Sequence, residues 1–272
     1  EEYALNHLIH TYPKPYIAFM DGICMGGGMG ISQGASLRIV TERSKIAMPE
    51  TGIGLFPDVG GGYFLSRCPG RSGEYLALTG LVLGGAEALT VGLADALMDS
   101  GRLAGLWDSL GLTPYESGEA VERWCLNHVQ KAPAKAPWPQ TDIDRVFALD
   151  SVSAIVAALE GGQGDWARET AALLRKRSPL MLHVVLEQVR RARGMGLADE
   201  LRMERDLVRR CFHLRPGAAS ETVEGIRALA VDKDHHPHWN PARIEDVSTG
   251  QVSPFFVSPW PASTHPLHHL GQ

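Results

Sequence analysis

Between residues 20 and 62 the chain places two glycine triplets, Gly26-Gly27-Gly28 and Gly60-Gly61-Gly62, around two carboxylates, Glu50 and Asp58. Apart from proline, glycine is the poorest helix former, costing about 1 kcal/mol per residue relative to alanine. Three in a row at the start of a helical pattern therefore need a reason such as close approach of the backbone to another group. A free N–H at a helix start can face a ligand oxygen and stabilise negative charge as it develops. Glu50 follows Met48-Pro49 and precedes Gly52-Ile53-Gly54, while Asp58 lies between Phe56-Pro57 and Val59. Neither sits in a solvated charge run. Backbone donors beside acids in apolar surroundings point to acyl-transfer or carbonyl chemistry.

The flanking pattern is alternating α/β. Residues 3–11 read as a helix closed by Pro13, and Lys14–Met20 as a buried strand. Asp21-Gly22 turns the chain toward a helix over 27–35. Residues 37–40 and 45–48 are strand candidates, 63–67, 72–78 and 85–91 are helices, and 93–98 returns to the sheet. Beyond residue 100 the apolar spacing turns to threes and fours, as in Leu182, Val185, Leu186 and Val189. It predicts helices over 102–110, 118–130, 142–159, 165–176, 179–193 and 197–214, with another over 220–230. Ser178-Pro179 is an N-cap followed by proline in the first turn. Residues 131–140 form a Pro-rich connector. The expected organisation is an α/β core over 1–100, a helical region over 101–247, and a poorly ordered Pro/His-rich tail over 248–272.

With 272 residues, 44% hydrophobic content and a net charge of -5, the chain can bury a full core and gives no support for nucleic-acid binding. No run of 18 apolar residues suggests a membrane span. Cys24, Cys68, Cys125 and Cys211 are widely spaced and form no CxxC, which fits reduced thiols rather than disulfides or structural zinc. The Asp234-His235-His236-Pro237-His238 run lacks a second cluster at metal-ligand spacing, so no metal is expected. The opening Glu1-Glu2-Tyr3 has neither an initiator methionine nor a basic leader.

Two readings stay open for the acids. Partial burial would raise both pKa values and their mutual repulsion would raise one further, suiting a group for proton transfer near neutrality. Alternatively, Asp58 caps the helix beginning near Gly60, and Glu50 hydrogen-bonds to loop backbone. The first triplet matches neither GxGxxG nor a P-loop. It serves either as a packing crossover or as part of an oxyanion hole.

Several segments together carry a resemblance. They are Tyr-Pro-Lys-Pro-Tyr-Ile-Ala at 12–18, Asp-Gly-Ile-Cys-Met-Gly-Gly-Gly-Met-Gly at 21–30, Ala-Met-Pro-Glu-Thr-Gly-Ile-Gly-Leu-Phe-Pro-Asp-Val-Gly-Gly-Gly-Tyr-Phe-Leu at 47–65, Leu-Ala-Leu-Thr-Gly at 76–80 and Gly-Leu-Ala-Asp at 92–95. Downstream come Glu224-Gly225-Ile226-Arg227-Ala228, Asp232-Lys233-Asp234 and Trp239-Asn240-Pro241. Over about residues 1–247 the chain resembles the enoyl-CoA hydratase/isomerase (crotonase) superfamily, most of all its 3-hydroxyisobutyryl-CoA hydrolase branch. Hydratases of that superfamily carry one glutamate two residues after the glycine triplet and another at the position of Glu50. Here the first position is Gly30, which has no side chain to hold a proton. Asp58 matches the acid of the hydrolase branch.

The resemblance implies a crotonase-like spiral core whose N-terminal part lies outside this sequence. It also implies hydrolysis of a short β-hydroxyacyl-CoA thioester, 3-hydroxyisobutyryl-CoA above all, as in valine breakdown. Gly27 N–H would donate to the thioester oxygen. Glu50 would be the central carboxylate, as nucleophile or as base on water. Asp58 would orient the substrate hydroxyl or water, and Glu2 would line the substrate pocket. A second oxyanion donor is expected from an Ala-Gly-Gly-Asp type segment upstream of residue 1. No cofactor is implied, since coenzyme A enters as part of the substrate. The same resemblance implies subunit association and a cytoplasmic location in a bacterial source or a mitochondrial one in a eukaryote. A hydratase or isomerase, or a binding protein that has lost activity, are the competing readings.

Overall fold

A computed structural model describes residues 1–129 and 136–271; half of the expected Pro-rich connector, 131–135, lies outside the described residues. The chain divides into two compact units that interleave in sequence, the first made of Glu1–Ala47 and Val82–Pro139, the second of Met48–Leu81 and Gln140–Gln272. This differs from the sequential division at 100 and 247 read from composition. Composition registers where helices become frequent, whereas the units follow which elements touch.

In the first unit a parallel sheet runs in the order β1 (Ile17–Met20), β3 (Leu37–Val40), β5 (Ala96–Leu97). A second parallel pair joins β2 (Ile23–Met25) to β4 (Lys45–Ala47). Of the strands among the described residues, β2 went unforeseen, because three residues after a Gly22 turn give too short a period to register. The helices of this unit are α1 (Glu2–His10), α2 (Gly27–Gln33), α5 (Gly85–Thr90), α6 (Leu103–Leu112) and α7 (Gly118–His128). Leu37, Ile39, Ala96 and Met98 from the sheet bury with Leu106 of α6 and Cys125 of α7. Parallel strands need crossovers, and the glycine-started helix α2 follows β2 directly. Arg38 ties β3 to the entry of β5 through Asp95, with Nη2 2.7 Å from Oδ1.

The second unit is mainly helical: α3 (Gly61–Ser66), α4 (Ser72–Thr79), α8 (Gln140–Phe147), α9 (Val152–Glu160), α10 (Asp165–Leu174), α11 (Pro179–Ala192), α12 (Leu197–His213), α13 (Glu221–Ile226) and α14 (Thr249–Val252). The single helix expected over 142–159 is two. Ser151 breaks it by capping α9, its Oγ accepting from Ala154 N–H at 3.1 Å. Ser178 caps α11 with Pro179 behind it, as its sequence predicts. The helix-end arginines do more than favour their own dipoles. Arg177 donates to Thr79 O at the end of α4, and Arg190 to Leu149 O just past α8. Each supplies orphan terminal carbonyls of a neighbouring helix.

The tail over 248–272 is not the loosely ordered segment expected. Phe255, His265, Leu267 and Leu270 are buried, and Arg202 and Arg210 of α12 donate to Leu267 O and Val257 O. Its scattered apolar residues have no period to reveal this in sequence. Docking against α12 supplies the order that local propensity does not. All four cysteines are buried and none forms a disulfide. Among the described residues no helix is long and apolar enough to cross a membrane.

Candidate active site

Each unit carries part of the predicted constellation. In the first, β2 ends at Met25 and Gly26 takes φ 51°, ψ -120°, a conformation open mainly to glycine, as the cap of α2. The helix's own bonding begins with Met29 and Gly30 N–H, both on Gly26 O at 2.8 and 3.1 Å. Gly27 and Gly28 N–H precede those bonds at the open end of the helix. Glu2, in the first turn of α1, comes to the same place, since a Cβ on Gly27 would lie 3.6 Å from its Oε1. The structure thus brings Glu2 and Gly27 together. Gly30 is buried within α2, where it presents no functional group.

The second unit holds Glu50 and Asp58. Glu50 opens a 3-10 turn, Glu50–Ile53, and is 7% exposed. Its Oε2 is buried without a hydrogen-bond partner. Burial, and to a smaller extent the charge of Asp58, push its carboxyl up to about 8, against its own backbone N–H. The turn is gripped from several sides. Thr51 Oγ1 donates to Leu78 O at 3.1 Å, Ser178 N–H to Thr51 O at 3.2 Å, and Thr222 Oγ1 to Gly54 O at 2.6 Å. Gly54 ends the turn in the left-handed region at φ 67°. A rigid, partly dehydrated carboxylate with a spare oxygen is suited to act as a base or nucleophile near neutral pH.

Asp58 is half-buried at the head of the second triplet. At the helix start where the sequence predicts a cap from Asp58, a second acid also receives backbone N–H groups. Gly60 and Gly62 N–H donate to the two oxygens of Glu204, at 2.8 and 3.1 Å, and Gly61 N–H donates to the Asp58 backbone carbonyl at 2.8 Å. The second triplet is therefore glycine for a reason the sequence did not suggest. It packs against protein rather than opening toward a ligand. A Cβ on Gly61 would lie 2.8 Å from Pro57 Cβ, and one on Gly62 would overlap the buried Glu200 carboxylate. Gly62→Ala should lower thermal stability by about 1–3 kcal/mol, since overpacking a buried polar contact leaves it no room to relax; a melting curve unchanged from the parent would contradict this.

Glu200, Glu204 and Gln188 were not singled out from sequence. A signal was present: Leu197, Glu200, Leu201, Glu204, Leu207 and Cys211 follow helical spacing, which puts both acids on the buried stripe of α12.

The fold and chemistry have counterparts among known proteins. Residues 1–256 match the family model for enoyl-CoA hydratase/isomerase. A probable 3-hydroxyisobutyryl-CoA hydrolase 3 of Arabidopsis thaliana is 38% identical over 94% of this chain and 69% of its own length. The mitochondrial 3-hydroxyisobutyryl-CoA hydrolase of Xenopus tropicalis is 37% identical over 95% of this chain and 67% of its own. The crystal structure of a carnitinyl-CoA dehydratase from Mycobacterium thermoresistibile superposes with TM-score 0.81 at 38% identity, over 96% of this chain and 73% of that one.

Proposed function

Since this chain belongs to the enoyl-CoA hydratase/isomerase family, we propose that it hydrolyses a short β-hydroxyacyl-CoA thioester, 3-hydroxyisobutyryl-CoA above all. The observation that carries this reading is Glu50: a buried carboxylate with one unpartnered oxygen, near Asp58, in a chain with Gly30 where the two-glutamate hydratases hold an acid. Its hydrolase relatives support the same reaction class. In this reading Glu50 attacks the thioester carbonyl or draws a proton from the attacking water. Gly27 N–H donates to the oxygen that becomes negative, and Asp58 orients the substrate hydroxyl or water. Glu2 lines the acyl end of the substrate. Thiolate leaves readily, so no strong general acid is required. Coenzyme A enters as part of the substrate and no separate cofactor is proposed. We further propose a homo-oligomer, located in the cytoplasm of a bacterial source or the mitochondrion of a eukaryotic one.

Thiol release from 3-hydroxyisobutyryl-CoA, followed with a thiol reagent, tests the proposal. Rapid release is expected. Loss of the enoyl absorbance of crotonyl-CoA without thiol release would favour a hydratase, the reaction class nearer to the dehydratase neighbour. That second reading must find another acid to do what Gly30 cannot. Coenzyme A binding with turnover of neither substrate would mark a binding protein. The pH profile is a further prediction. Because the ionised form of Glu50 is the reactive one, kcat/KM should rise with pH and level off above about 8. A flat profile from pH 6 to 9 would remove Glu50 from the rate equation.

A further inference from the structure

Beneath the second glycine triplet lie two acids that the proposed reaction does not use. Glu200 and Glu204 stand one turn apart on α12, and both are wholly buried. Glu204 Oε2 accepts from Gly60 N–H and Oε1 from Gly62 N–H, and Gln188 Nε2 lies 3.4 Å from that same Oε1. The stronger bond of Gln188 goes to Pro57 O, at 2.7 Å. The backbone is therefore anchored on the residue before Asp58 and again two and four residues after it. Between these anchors Val59 sits at φ 55°. A β-branched residue there is strained, and such a conformation persists only where its surroundings over-determine it.

We propose that Glu204, backed by Glu200 and Gln188, is a positioning residue that holds the strained turn presenting Asp58. The inference rests on the role of Asp58 given above. The pair is chemically self-consistent if one proton stays between the two acids. Burial raises both carboxyls; Glu204 and Gln188, and then the charge of Arg67, pull Glu200 back, while Glu200 and Asp58 push Glu204 further up against the pull of Gly60 N–H. A carboxylate is what this place requires. It accepts through both oxygens, whereas an amide would turn an NH2 group toward one of the glycine donors.

A double-mutant cycle between Glu204→Gln and Asp58→Asn, read by thiol release in the full-length protein, tests this. Glu204→Gln alone should lower kcat about 100-fold with little change in KM, the size of effect that a misplacement of about 1 Å can produce. In the Asp58→Asn background the same change should cost less than about threefold, because the group it positions is already gone. Leu207→Ala on the same helix supplies the purely structural comparison: it should lower the melting temperature and leave kcat within about threefold. Equal losses from Glu204→Gln in the two backgrounds, or an unchanged kcat, would overturn the proposal. An Asp58→Asn protein with parental turnover would indict the role of Asp58 instead. Should Glu204→Gln fail to fold, Gln188→Met, which removes the Pro57 anchor, runs the same cycle with the same expectations.

Discussion

Glu50→Gln should lower thiol release from 3-hydroxyisobutyryl-CoA by about 10²–10⁴-fold, the range typical of losing a positioned acid-base group. The amide has nearly the shape of the acid but can neither accept a proton near neutrality nor attack a thioester. The fold should survive, because the turn is held through backbone atoms, Thr51 and Gly54, rather than through the Glu50 carboxyl. Stability should even improve at high pH. Burial holds the folded pKa of Glu50 above its ordinary value, at about 8. The folded state therefore binds the proton more tightly than the unfolded chain. That contribution is fully present below the unfolded pKa and is lost as pH rises through about 8. Glutamine cannot ionise. The variant should thus match the parent near pH 5 and exceed it at pH 9 by on the order of 2 kcal/mol, after allowing for its own buried amide. Parental turnover by the variant would end the Glu50 assignment. A stability difference independent of pH would show that the carboxyl is not ionised against burial.

Gly54→Ala should be strongly destabilising. Gly54 lies at φ 67°, where an L side chain is strained, and a Cβ there would overlap the Glu221 carbonyl and lie 3.0 Å from Thr222 N. Both neighbours are backbone of α13, which cannot swing aside as a flexible side chain could. Glu221 is itself pinned, accepting from Ser178 Oγ at 2.5 Å and Asn240 N–H at 2.8 Å. Strain and overlap together predict a loss of about 3–5 kcal/mol, or a fall in melting temperature of roughly 10 °C. Gly22→Ala separates the two causes. Gly22 has φ 88°, yet nothing lies within 4 Å of the added Cβ, so strain alone should cost about 1 kcal/mol. Equal losses at the two positions would mean that the α13 contact contributes nothing.

Local signals made much of this molecule legible. The strands at 17–20 and 37–40 are short apolar runs bounded by Pro, Gly and Ser, and their composition suffices to identify them. The cap at Ser178 is equally local, accepting from the N–H three residues on. By contrast, the break at Ser151 lay inside an unbroken helical pattern. The burial of the tail around Phe255 and Leu267 depends on α12, some 40 to 70 residues away in the chain.

The candidate site divides along the same line. Glu50, Asp58, Gly27 and the lack of a side chain at Gly30 are visible in sequence because reactive groups and glycines are residue types, and the family pattern is written in types. The environment that acts on them is not. That Glu50 is buried with a free oxygen, and so titrates far above an ordinary glutamate, follows from what α4, α11 and α13 place around it. That the second triplet receives the Glu204 carboxylate instead of a ligand follows from a contact spanning more than 140 residues. Sequence by itself determined which groups can do chemistry and which reaction a glycine at position 30 disfavours. Only the tertiary structure decided their protonation, their rigidity and the partners that aim them, because desolvation and hydrogen bonding depend on atoms brought together through space rather than along the chain.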